Sequence, residues 1–179
     1  MNNLLLPQRN VCATLHRMRH LPLISISMAA LLFCAVLLRA QSVQELKIVV
    51  TGDVPTPLTL NASDPAAMPH ERIELNEEDA GIVTYEGVPL QEILKKAGLR
   101  GRILAGYVLA HARDGYEVVF SLGEIDSEVG GTRVFVADKR EGKPLFAYQG
   151  PARLVVPTDK KEARSARMLE KLEVVRLKK

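Results

Sequence analysis

Cysteine is nearly absent from this chain. Only Cys12 and Cys34 occur in 179 residues, and none follows Ala40. A domain built from residues 41–179 therefore has no disulfide, no thiol nucleophile and no thiolate metal site. Its stability must come from packing. Tryptophan is missing altogether, and Phe and Tyr supply four residues each. The histidines His70 and His111 stand alone in strand-like patterns, where a histidine is more often packed or at the surface than a ligand. No HExxH, CxxC, GxSxG or phosphate-loop pattern occurs, so the enzyme classes that depend on them have no support. Acidic residues are missing from the first 40 positions, which hold Arg9, Arg17, Arg19 and Arg39. Those four exceed the chain's formal excess of +3, leaving residues 41–179 at a net −1. A nearly neutral domain with few rings has no electrostatic footprint for nucleic acid.

The basic start leads into an almost wholly apolar run, Leu21–Leu38, then Ala40 and the polar pair Gln41-Ser42. Such an order reads as a secretory signal over residues 1–40, cleaved after Ala40. The run is also about the shortest that spans a bilayer, so a retained N-terminal anchor is the alternative. In that case the membrane is met only through this segment. Cys34 follows Leu32-Phe33 rather than a small residue, so it is not read as a lipidated cysteine. The expected location is periplasmic or secreted, with one domain over residues 41–179.

Within that domain, residues 44–50 alternate apolar and polar and predict a first strand. Pro55 and Pro57 mark a bend, and Ser63-Asp64-Pro65 a helix start. Strands are predicted over 71–75 and 82–85. The best helix signal is Pro89–Ala97, where Leu90, Ile93, Leu94 and Ala97 make one apolar face. Gly98 suits its C-terminal stop, and Glu92 stands four residues before Lys96. A hairpin is predicted from residues 106–112 and 116–120 around Arg113-Asp114-Gly115. Ser121 and Glu124 fit a capping box. Further strands are expected over 133–137, 152–156 and 172–177, with a polar turn from Asp138 to Lys143. Ile48, Leu90, Leu94, Val118, Phe120, Val134, Val136 and Val155 are expected to share a core. The reading is α+β: a single compact domain of mixed short strands with two or three short helices.

Four stretches carry a family resemblance in sequence order. They are Tyr85–Gly98 with its Tyr-x-Gly-x-x-Leu start, and Ala112–Asp126 with Asp114 and Tyr116. Then come Val134–Pro157 with Gly142-Lys143-Pro144-Leu145 and Gln149-Gly150-Pro151-Ala152-Arg153, and finally Arg164–Leu169. Together they resemble the molybdopterin-binding domain of the sulfite oxidase family. The resemblance implies that Arg153 faces the pterin or phosphate of the cofactor. It implies that Arg164, Ser165 and Arg167 hold the pterin or its phosphate, that Asp114 bonds the pterin, and that Tyr116 lies near the substrate. Guanidinium groups suit that task, since they match phosphate geometry and keep their charge.

The chain also departs from the family. Where a thiolate should follow the strand near Leu75, it reads Asn76-Glu77-Glu78-Asp79. Gln149 stands for a histidine and Met168 for a tryptophan. Carboxylates are hard oxygen donors, unlike the soft thiolate of that metal site. The expectation is an exported domain of this fold without ordinary molybdenum redox activity, holding at most molybdopterin or a related pterin phosphate. One alternative is a cofactor-free extracytoplasmic binding or scaffold module. Another is an active molybdopterin-dependent oxidoreductase. The expected partner is a small anionic ligand. The same residues also have plainer readings. Asp114 suits a turn, Tyr116 strand packing, Arg164 and Arg167 a solvated face, and Arg153 an ion pair.

Overall fold

A computed structural model describes residues 45–61, 63–101 and 104–177. All lie in the unit formed by residues 43–179. The proposed signal or anchor, with Cys12, Cys34 and the Ala40–Gln41 junction, lies outside the described residues.

The domain is α+β, with two sheets and few short helices. The first sheet holds β1 (Lys47–Gly52), β2 (Leu58–Asn61), β5 (Gly106–Ala112), β6 (Glu117–Ser121) and β10 (Leu169–Arg176), in the order β2-β1-β10-β5-β6. Its strands pair antiparallel except for β1 and β10, which run parallel. The second sheet holds β3 (Glu71–Glu77), β4 (Gly81–Pro89) and β7 (Phe135–Arg140). Against the free edge of β7 lie β8 (Lys143–Pro144) and then β9 (Arg153–Val155). The helices are α1 (Ser63–Ala66), α2 (Leu90–Lys96) and α3 (Leu122–Ile125), with a 3-10 turn at Glu162–Arg164. Among the described residues no helix is long and apolar enough to cross a membrane.

Helix α2 follows its sequence pattern closely. Leu90, Ile93, Leu94 and Ala97 are all buried, Pro89 precedes the first turn, and Gly98 follows at φ +86°. The charge pairing differs from the expected one. Lys95, not Lys96, meets Glu92, at 2.7 Å, while Lys96 lies 3.8 Å from Asp64 of α1. The capping box at α3 forms as read: the Glu124 amide donates to Ser121 Oγ, and the Ser121 amide to Glu124 Oε2.

Alternation along the second sheet gives it two apolar faces. Val134, Val136, Leu154 and Val156 join the main core with Ile48, Leu90, Leu94, Val118 and Phe120. Phe135, Ala137 and Val155 point the other way, to a smaller cluster with Ile73, Leu75, Val83 and Tyr85. Val155 is thus corrected from the shared core to this second cluster. The expected polar turn from Asp138 is also corrected. Strand β7 continues to Arg140, and the reversal is confined to Glu141-Gly142, both at positive φ. Strand β2 was missed, because Leu58–Asn61 is too short to show a period.

Candidate functional site

Five of the six predicted site residues sit on loops that leave the two sheets, and the sixth lies in a strand. Arg153 opens β9 and is 0% exposed. A guanidinium removed from water must find acceptors, and here it finds them within the chain. Its Nη1 donates to Tyr85 Oη at 2.6 Å and lies 3.2 Å from Glu77 Oε1. Its Nη2 donates to Glu162 Oε2 at 3.0 Å and reaches the Ser165 carbonyl at 3.4 Å. The guanidinium also covers the Tyr85 ring, 4.8 Å from its centroid. Glu77 takes a short hydrogen bond from Tyr85 Oη and another from Arg140 Nη2 at 3.0 Å.

Burial alone would push the Glu77 carboxyl up. The Tyr85 hydrogen bond and the guanidiniums of Arg140 and Arg153 outweigh it and hold Glu77 below its ordinary 4.5. Burial and the bond to Glu77 push the Tyr85 hydroxyl up. A carboxyl depressed by folding stabilises the fold above its unfolded value, and that contribution is lost as pH falls through the folded value. Glu77→Gln should therefore be less stable than wild type at neutral pH, with the gap closing below about pH 4. Urea titrations across pH 2–7 read this directly; a gap that stays constant would refute it.

The other candidates gather around the 3-10 turn. Tyr116 Oη donates to the Ala163 carbonyl at 2.7 Å. Asp114 Oδ1 accepts the Tyr116 amide at 3.0 Å, which is its plainer, turn-forming role. Arg164 forks onto Asp159 at 2.6 and 2.8 Å, also reaches Glu124 at 2.5 Å, and lies over Phe120. These hydrogen bonds, to Asp159 first and then Glu124, push its pKa up. Ser165 is buried, and its Oγ accepts the Val156 amide.

Arg167 is different. It is exposed, has no acidic partner among the described residues, and lies 5.7 Å from the Tyr148 ring centroid. Tyr148 stacks on Phe146 at 5.6 Å and 7°, and Arg140 covers Phe146. The two rings are 57% and 52% exposed. Beside them Gln149 is buried, with its Oε1 unpartnered. Its carbonyl accepts the Met168 amide at 2.9 Å, and the Met168 carbonyl accepts the Arg113 amide at 2.9 Å. So the loops at 113–116, 146–151 and 163–168 meet, while Arg153, Arg164 and Arg167 each engage different side chains. Two cavities of about 350 and 290 Å³ flank α2, and neither is lined by the six candidates.

The family described as oxidoreductase molybdopterin binding domain matches residues 36–179. This chain belongs to that family. Among solved structures, the sulfane dehydrogenase SoxCD of Paracoccus pantotrophus shares the fold, with a TM-score of 0.58 and 20% identity. The match covers 72% of this chain and 37% of that one, so this chain corresponds to little more than a third of the SoxCD chain. No curated protein sequence is significantly similar to it.

Within the molybdopterin-binding fold, sequence reasoning pointed to Arg153 but not to the residues that pair with it. In sequence Glu77 is one of an acidic run, Tyr85 ends a predicted strand and opens the Tyr-x-Gly-x-x-Leu motif, Arg140 falls in an expected turn, and Glu162 carries no signal. The signal was Arg153 itself, since an arginine inside an apolar strand demands acceptors. Nothing local showed that they come from 76 residues upstream and nine downstream.

Proposed function

We propose that this is an exported molybdopterin-fold domain that works as a binding module without molybdenum redox chemistry. One observation carries the reading: the Arg153 guanidinium, which should meet the cofactor, is spent on Glu77, Glu162 and Tyr85. Two others agree. Residues 41–179 have no thiol, and Glu77, near the place expected for the thiolate, is already ion-paired to two arginines. Arg164 and Ser165 are likewise engaged within the chain. These residues do not fit the metal-bearing form of the cofactor, whose soft-donor site they cannot reproduce.

What remains for a ligand is the surface of Phe146, Tyr148 and Arg167, beside the free Gln149 acceptor. Exposed rings with an unpaired guanidinium suit a small planar anion, and a pterin phosphate is the form the family suggests. Purified protein should contain far less than one molybdenum per chain by elemental analysis. Any pterin released by oxidation should be lost from Arg167→Ala, as read by fluorescence. Stoichiometric molybdenum in the wild type would overturn the proposal and restore the oxidoreductase.

Export is the second part of the proposal and rests on the leader. Protein recovered from the extracytoplasmic fraction should begin at Gln41 on N-terminal sequencing. Membrane-bound material with residues 1–40 intact would support the anchor instead.

A further inference from the structure

We infer that Arg153 marks an oxyanion site that the chain fills with its own Glu162 carboxylate, so that Glu162 is an internal stand-in for a ligand. The inference rests on the reading above, that no molybdenum cofactor engages Arg153. Two carboxylates meet the buried guanidinium, and they are not equivalent. Glu77 has further donors in Tyr85 Oη and Arg140 Nη2, and would stay satisfied without Arg153. Among the described residues, Glu162 has no other cation within salt-bridge distance. It is also 27% exposed, whereas Arg153 is sealed.

The way Glu162 arrives supports the same point. It does not belong to a sheet. It rides on a 3-10 turn whose anchors are all on neighbouring residues: Lys161 to Glu78, the Ala163 carbonyl to Tyr116, and Arg164 to Asp159 and Glu124. The turn presses one carboxylate onto one Nη2, from the solvent side. Formate, acetate and one edge of phosphate present the same pair of oxygens to a guanidinium. Truncating the side chain would leave a carboxylate-sized gap, open to water, with Arg153 Nη2 at its floor left to the Ser165 carbonyl while Nη1 keeps Glu77 and Tyr85.

That gap can be tested by refilling it. Glu162→Ala should melt at a lower temperature than wild type, and sodium formate or inorganic phosphate should restore the loss saturably. Chloride at matched ionic strength should not, and wild type should respond to none of them. In titration calorimetry, phosphate should bind Glu162→Ala roughly tenfold or more tighter than wild type, the scale of one charge-assisted hydrogen bond. Glu162→Ser opens nearly the same gap and should show the same gain if the alanine variant fails to fold, whereas Glu162→Gln keeps the gap filled and should show none. If a folded alanine or serine variant gains neither binding nor anion-dependent melting, the inference fails. That failure is separate from the molybdenum question, which is decided on the wild-type protein alone.

Discussion

Arg153→Met should cost the domain about 3–5 kcal/mol, the range for breaking a buried ion pair by removing one partner. The methionine fills much of the volume, so the loss would not be a cavity effect. It would come from the groups left behind. Glu162 loses its ion pair, Tyr85 Oη loses its donor, and Glu77 keeps Tyr85 and Arg140 alone. Arg153→Lys should recover little, because one ammonium cannot reach acceptors arrayed around a planar fork. Urea denaturation gives the number. A loss under about 1 kcal/mol would mean that the network is no stronger than a surface pair.

Gly52→Ala should be the most damaging single-methyl change in the first sheet. Gly52 ends β1 at φ +88°, and an added Cβ would lie 2.1 Å from the Val174 carbonyl oxygen and 2.9 Å from its nitrogen. Both are backbone atoms of β10, and Val174 is held on its other side by Val108 of β5, so neither strand can step aside. Gly81 is the natural control. It has φ +71° but nothing within 4 Å of its added Cβ. Gly81→Ala should lose about 1 kcal/mol for the left-handed backbone alone. Gly52→Ala should lose at least twice that, since a clash adds to strain of about 1–3 kcal/mol. Equal shifts in the urea midpoint would show that β10 yields.

The elements that sequence revealed are those whose forces are local. Helix α2 was legible to its ends because its apolar face, Pro89 and Gly98 are all within ten residues. The capping box at Ser121 and the hairpin at Asp114 were legible for the same reason. The partition of the core was not. Val155 and Leu154 look alike in sequence, and only the stacking of layers decides which faces which cluster. The candidate loops were singled out by family resemblance alone. Their electrostatics were not legible, because Glu77 reaches Arg153 across 76 residues and Arg140 across 63. Sequence told that Arg153 needed counter-charge but could not say whether ligand or protein supplies it.

The position of β10 sets a schedule for the molecule. It is the last of the described strands and lies between β1 and β5, pairing with both. Until residues 169–176 leave the ribosome, the opening hairpin of β1 and β2 has no neighbour in the first sheet but itself. The sheet cannot close early, because its middle is made last. Long-range pairing of this kind is slow to form. The delay lengthens the time that the chain spends without a closed sheet, and it comes from the same parallel register that Gly52 protects.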